Sequence, residues 1–204
     1  SKIFFNSKKT LNTNSRKWIK YGIPISIWST MGLLMPYLDR YYINMNYGVE
    51  FLGIYSSINE LTIRVFSFFI FPFTMALHPR IVKLWNNGKR IDSIRIIIFA
   101  IKLILFFLII SLFLIISFQD KFFELVKIII PFLSNESVSL LIPLVLTGII
   151  WQLSFFTHKM IELNEKTILM IIFISFSVIV NLIGNNYFIL KYGIIATAYT
   201  SLLS

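Results

Sequence analysis

Long apolar runs alternate with short polar connections along this chain. Five runs are about 20 residues or longer, the length that crosses a hydrocarbon core about 30 Å thick. They cover residues 18–43, 53–78, 94–118, 140–160 and 167–190, and residues 193–204 read as the incomplete start of a sixth. Lipid cannot satisfy open backbone groups, and no run alternates as a barrel strand does. We therefore predict an all-α integral membrane bundle of five transmembrane helices plus the truncated start of a sixth.

The composition excludes an ordinary soluble domain. Hydrophobic residues make up 57% of the chain and charged residues only 14%, too little polar surface to cover a core of this size. The chain has no cysteine, which excludes disulfides and thiolate metal sites. Its two histidines, His78 and His158, lie far apart at predicted helix ends. We therefore expect no metal and assign no cofactor.

The basic residues are placed as topology determinants, because they lie between the apolar runs. The net charge of +10 is therefore not expected to indicate a nucleic-acid partner. Three connections that alternation puts on one side carry most of these residues: Lys2, Lys8, Lys9, Arg16, Lys17 and Lys20 at the start, Arg80, Lys83, Lys89 and Arg90 after the second helix, and Lys159 and Lys166 after the fourth.

The bias of short loops towards Lys and Arg on the inner side orients the bundle. It predicts a basic cytoplasmic segment over residues 1–17 and a multi-pass transmembrane helical region over 18–204. A reporter at Asn87 is expected in the cytoplasm and one at Ser134 on the opposite side of the membrane. Residues 119–139 mix aromatic and charged side chains, which predicts an amphipathic helix in the interface.

The second helix carries charged residues inside its apolar run. Ser56, Glu60 and Arg64 follow one another at four-residue spacing, so they share a face, and Glu60 precedes Arg64 in the better orientation for an in-helix ion pair. Two interpretations remain open, a structural pair that fixes this helix to a neighbour and a charged wall of a translocation path. An ionisable group at this depth costs about 2.5–3.5 kcal/mol on insertion scales, so it needs a reason.

Other helices carry single polar faces. The first ends in Asp39 and Arg40, and Arg40 has the alternative interpretation of an interfacial cation reaching the headgroups. The fourth carries Gln152, and the fifth carries Asn181 and Asn185 one turn apart; such residues also serve as packing contacts between membrane helices. The third helix is nearly all apolar and is expected to face lipid. Together the polar faces predict a bundle around a hydrophilic cavity.

Prolines within the apolar runs suggest kinks, of the kind found where helices rock between two states. They are Pro24, Pro36, Pro72 and Pro143.

The sequence lacks the motifs of a membrane enzyme. No nucleophile elbow, paired-histidine metal motif or Gly-rich phosphate loop occurs. Glu60, Asp39 and His158 are candidate acid–base groups, but they lie on separate helices. We therefore predict that the protein is not an enzyme.

Several short motifs follow one another along the chain: Tyr21-Gly22-Ile23-Pro24, Asp39-Arg40-Tyr41-Tyr42-Ile43, Leu52-Gly53-Ile54-Tyr55-Ser56, Ala76-Leu77-His78-Pro79 and Tyr192-Gly193-Ile194-Ile195-Ala196-Thr197-Ala198. Their order resembles the C-terminal half of a Wzx-type polysaccharide flippase of a bacterial inner membrane, in the multidrug/oligosaccharidyl-lipid/polysaccharide exporter superfamily. They span nearly the whole chain in the family's order. One departure is Lys191-Tyr192, where the family often has a proline before the glycine.

The resemblance implies one lobe of a two-lobed transporter, with an N-terminal lobe outside this sequence. The implied substrate is an undecaprenyl-diphosphate-linked oligosaccharide, such as an O-antigen or capsule repeat, moved across the inner membrane by alternating access. Membrane lipids would be its other partners. Arg64 and Arg40 are then candidates for the diphosphate, Glu60 and Asp39 for coupling to a cation gradient, and Ser56, Gln152 and Asn181 for the sugars.

Two further functions stay open. A small-molecule cation antiporter of the same superfamily is expected to favour buried carboxylates over arginines in its cavity. A membrane enzyme of cell-envelope polysaccharide synthesis is expected to have large outer loops with polar catalytic residues, whereas the longest outer connection here is mostly apolar.

Overall fold

The computed structural model describes residues 2–131, 133 and 137–204, with side chains from residue 19 onward in those ranges. The described chain is helical apart from short connections. The helices are α1 (Lys2–Asn86), α2 (Arg90–Ser117), α3 (Gln119–Ile129), α4 (Val138–Thr157), α5 (Lys159–Leu163), α6 (Thr167–Tyr192) and α7 (Ile194–Leu203). Four helical stretches are long and apolar enough to cross a membrane: residues 19–86 within α1, α2, Val138–Leu163 and α6. The prediction of an all-α protein with several membrane-length helices is thereby confirmed.

The longest helix, α1, is a hairpin of two arms. Gly48 interrupts it with φ 83° and ψ −177°, a conformation that L side chains rarely adopt. Tyr55 and Asp39 would lie about 24 Å apart along a straight helix, yet their side chains are joined by a hydrogen bond of 3.2 Å. The chain therefore reverses at Gly48, giving arms α1a (residues 2–47) and α1b (residues 49–86).

The reversal falls at a glycine and not at the prolines. The backbone stays helical through Pro24, Pro36 and Pro72 of α1, and Pro143 lies inside α4. Neighbouring helices and local adjustments can satisfy the carbonyl that a proline leaves free in a membrane helix. The predicted first and second helices, residues 18–43 and 53–78, are thus extended in the structure up to Gly48 from both sides.

Two apolar cores hold the bundle together. The first joins both arms of α1 to α3, α4, α6 and α7, and its most deeply buried members include Ile43, Tyr55, Leu144, Ile189 and Ala198. The second joins α1b and α2 to α4. Helix α4 contributes to both cores and has the largest buried share of the four long apolar stretches. It is therefore the central helix of the bundle.

The burial patterns of α2 and α3 agree with those expected from their sequences. Most large apolar residues of α2 are exposed, while Ile97, Ala100 and Ile104 form a narrow buried stripe. In α3, Phe123 and Val126 are buried and the charged residues are exposed, the expected arrangement of an amphipathic helix. This helix ends at Ile129 instead of continuing to residue 139. Ser134, chosen above as a topology reporter, lies outside the described residues.

Two glycines allow helices to approach closely. A Cβ added at Gly148 of α4 would lie 2.8 Å from Thr62 Cγ2 of α1b, and one added at Gly184 of α6 would lie 2.5 Å from Thr200 Cγ2 of α7. Real Cβ atoms essentially never come this close to another atom. Small residues at such positions are typical of membrane helix packing.

Replacing Gly184 by leucine should weaken the docking of α7 on α6. Overpacking at a close contact costs about 1–3 kcal/mol, so the midpoint of unfolding in detergent should fall clearly. Gly22→Leu is the matched control, because a Cβ there meets no atom within 4 Å. Equal midpoints for the two variants would contradict the close contact.

Candidate functional site

A carboxylate inside the bundle is surrounded by four donors from three other helical segments. Asp39 lies on α1a and is only 3% exposed. Its partners are Tyr55 from α1b, Asn181 and Asn185 from α6, and Ser201 from α7. The one-turn spacing of the two asparagines aims both amides at the same point, because residues four apart share a helix face.

The donors divide evenly between the two carboxylate oxygens. Oδ1 accepts from Asn181 Nδ2 at 2.9 Å and from Asn185 Nδ2 at 3.0 Å. Oδ2 accepts from the Tyr55 hydroxyl at 3.2 Å and from the Ser201 hydroxyl. Asn185 also donates to Asn181 Oδ1 at 3.1 Å. These bonds offset the cost of burying the carboxylate.

Unpaired oxygens lie beside this cluster. Asn185 Oδ1 and Thr197 Oγ1 are buried and accept no hydrogen bond from any described residue. A carboxylate, amide oxygens and hydroxyl oxygens are the ligand types that hard cations prefer. The same carboxylate can instead accept a proton. No group of three or more His, Cys, Asp or Glu side chains able to hold a metal occurs among the described residues.

A second polar group lies on the open side of the α1 hairpin. Arg40 Nη2 donates to Glu60 Oε1 at 2.6 Å, and Arg64 Nε donates to Glu60 Oε2 at 3.3 Å. The predicted Glu60–Arg64 pair is therefore present. The shorter bond to Arg40 across the hairpin was not predicted, since it depends on the register of the two arms.

This ion-pair network faces out of the lobe. Its side chains are 24% exposed for Arg40, 45% for Glu60 and 80% for Arg64. The ring of Tyr37 lies 5.4 Å from the Arg40 guanidinium carbon and is itself exposed. Glu60 is about 18 Å along the helix from the Gly48 turn, so the network is well inside the apolar stretch. A lipid contact at that depth is costly for charged groups.

The remaining predicted residues are divided between these regions. Gln152 of α4 is buried and its amide lies 2.5 Å from the Ser67 hydroxyl of α1b, so it joins two helices. Ser56 is half-buried on α1b, and Asn181 belongs to the Asp39 cluster. The side chains predicted to line one hydrophilic cavity thus form a buried cluster, a buried crosslink and an exposed network.

A third charged group connects α4 and α5 to α1a. Lys159 Nζ lies 2.5 Å from Glu162 Oε2, with both side chains largely buried. The His158 ring lies 4.4 Å from the Trp28 ring, centroid to centroid. Lys159 was predicted only as a loop cation that sets topology. Its burial could not be anticipated, because the break between α4 and α5 at His158 turns it inward.

Sequence reasoning did not identify Tyr55 and Ser201 as partners of Asp39. Tyr55 was noticed only as part of a motif. Ser201 lies in a segment too short for the sequence to show which helix its polar residues face. Thr197 was noticed in the same way. For Thr197 and Ser201 the sequence offered one signal, the occurrence of three polar residues, Thr197, Thr200 and Ser201, within an apolar segment.

Comparison with known proteins adds no assignment. The chain matches no protein-family model, no curated protein and no solved structure.

The Asp39 cluster makes a clear stability prediction. Asp39→Ala should remove the acceptor that four donors share, and each donor left buried and unsatisfied costs about 1–3 kcal/mol. The unfolding midpoint in detergent should fall well below that of Asp92→Ala, whose carboxylate is half-exposed and pairs with Arg95. Similar midpoints for the two variants would show that the cluster contributes little to the fold.

Proposed function

We propose that this chain is one lobe of a membrane transporter that moves an undecaprenyl-diphosphate-linked oligosaccharide across the bacterial inner membrane by alternating access. In this proposal the two arms of α1, together with α2, α4 and α6, cross the bilayer, and α7 begins a sixth crossing. The exposed Arg40–Glu60–Arg64 network would face a cavity shared with a second lobe. This network is the observation that supports the proposal most.

The argument starts from the cost of exposing charge inside a membrane. Arg64 is 80% exposed within a helix that is otherwise apolar on its outer side. Such a side chain avoids the lipid penalty if its face borders water instead. A second lobe placed against the α1 hairpin would enclose that water. The substrate headgroup would then enter the space between the lobes.

The ion pairs suit the capture of a diphosphate. Glu60 holds both guanidinium groups in the absence of substrate. A diphosphate carries more negative charge than one carboxylate and accepts bidentate hydrogen bonds from arginine. It would compete with Glu60 for Arg40 and Arg64, and the exchange would leave no guanidinium unpaired. The exposed rings of Tyr37 and Tyr41 lie on α1a, the arm that carries Arg40, and would contact the sugars.

In the same proposal the Asp39 cluster couples transport to a cation or proton gradient. Occupation of the carboxylate by a proton or a monovalent cation would weaken its bonds to Ser201 of α7 and to the two amides of α6. Those bonds connect α1 with α6 and α7. A change of occupancy would therefore alter how the helices pack.

A small-molecule cation antiporter is the second candidate, and one observation favours it. Such an exporter is expected to carry a buried carboxylate, and Asp39 is one. The two candidates differ in what the exposed face recognises. Arginines on that face favour an anionic substrate over a cationic one.

The exposed network yields the first test. Arg64→Ala should reduce surface polysaccharide export by at least tenfold in the complete protein, because the diphosphate loses a guanidinium. Membrane levels should stay normal, since this side chain is largely exposed. Arg95→Ala is the matched control, as it also removes an exposed arginine paired within its own helix. Export should persist in that variant.

Two other outcomes would count against this function. Unchanged export with Arg64→Ala would exclude a transport role for the residue. If the Asp39→Asn variant exported polysaccharide normally but lost resistance to organic cations, the antiporter would be favoured.

The proposed orientation can be tested by cysteine labelling, because the chain has no native cysteine. Asn87→Cys should react with a membrane-impermeant maleimide only after the cytoplasmic face is opened. Glu50→Cys, beside the Gly48 turn, should react in intact spheroplasts. Both positions are exposed. The reverse pattern would invert the topology.

A further inference from the structure

A cavity of about 530 Å³ lies where α1 enters its apolar stretch, beside the turn that leads into α6. Lys20 and Tyr21 line one wall, and residues 165–169 line the other. The volume is in the range of small-ligand pockets in proteins. None of the residues used in the proposed function borders it.

The charged groups around this cavity are not engaged with one another. Lys20, Lys166 and Glu165 are exposed, and none of them forms an ion pair within 4.0 Å with a residue the structure describes. The sequence before Lys20 contains no Asp or Glu that would neutralise the two lysines. Two ammonium groups and one carboxylate therefore border the cavity without an ion-pair partner among the residues whose side chains the structure describes.

The cavity also has an apolar side that opens outward. Ile168 is 61% exposed and Leu169 is 40% exposed, directly after the charged turn. Lys20 lies at the start of the apolar stretch of α1 and Lys166 directly precedes that of α6. The charged and apolar walls thus meet at the boundary where lipid headgroups join their acyl chains.

We infer that this cavity binds a single phospholipid with an ethanolamine headgroup. The ammonium groups of Lys20 and Lys166 bind the phosphate, and the Glu165 carboxylate accepts hydrogen bonds from the primary amine of the same headgroup. The acyl chains lie along Ile168 and Leu169. A free phosphate would leave both the carboxylate and the apolar wall without a partner, so the arrangement favours the lipid. Basic pockets between membrane helices bind lipid headgroups by the same electrostatics.

Native mass spectrometry of the complete protein tests this inference. The protein is released from nanodiscs of phosphatidylcholine that contain either phosphatidylethanolamine or phosphatidylglycerol at equal fraction. One phosphatidylethanolamine should be retained per chain, in preference to the other two lipids. Equal retention of phosphatidylglycerol would overturn the ethanolamine assignment. Displacement of the retained lipid by millimolar inorganic phosphate would show a phosphate site and overturn the lipid assignment.

Variants locate the site. The double variant Lys20→Gln/Lys166→Gln should lower phosphatidylethanolamine retention at least tenfold, and Glu165→Gln should remove the preference over phosphatidylglycerol. Lys191→Gln is the control, since Lys191 is exposed at the opposite end of α6. Unfolding midpoints for all variants should match the unaltered protein, because these side chains are exposed. Undiminished retention in the double variant would overturn the inference.

Discussion

The buried carboxylate of Asp39 is the constraint around which this helical bundle is arranged. A charge inside an apolar bundle is tolerated only when hydrogen bonds satisfy its oxygens. No single neighbouring helix supplies enough donors, so the donors come from α1b, α6 and α7. The reversal at Gly48 brings Tyr55 back to Asp39, and the close contact at Gly184 lets α7 approach α6 near Ser201. The hairpin and the packing of α7 on α6 therefore both bring hydrogen-bond donors to the same carboxylate.

The two polar groups of α1 differ in a way that fits different tasks. Asp39 is enclosed and saturated with donors, whereas Glu60 is open and shared by Arg40 and Arg64. In the proposed transporter, the enclosed carboxylate would respond to a proton or a small cation, because a large ion cannot reach it. The open network would respond to a large anion that approaches from outside the bundle. The proposed division between coupling and substrate recognition follows from this difference in access.

Hydropathy was sufficient to predict the long helices, because length and apolar content decide whether a segment can cross a bilayer. The i,i+4 spacing was likewise sufficient for the Glu60–Arg64 pair. Contacts between helices were not accessible in this way. The Arg40–Glu60 bond depends on the register of the hairpin, and the sequence predicted only a connection between residues 43 and 53 without identifying Gly48 as the point of reversal. Asn185 was interpreted as a packing residue, since nothing in the spacing of one helix indicates which carboxylate faces it. Burial of Lys159 depends on the break at His158, which hydropathy does not register.

Adjacency in sequence offers a physical route between the two groups. Asp39 and Arg40 are consecutive, so about 100° of helix rotation separates them, and one enters the cluster while the next reaches Glu60. If binding of a proton or a cation at the Asp39 carboxylate rotates or shifts α1a, Arg40 moves with the same helix. The distance between the Arg40 guanidinium and Glu60 then changes. A relative movement of more than about 0.6 Å along the bond would take this 2.6 Å contact beyond the usual hydrogen-bond range. In the proposed transporter, release of Arg40 from Glu60 is the step by which a cation bound inside the lobe would free a guanidinium for the anion outside it.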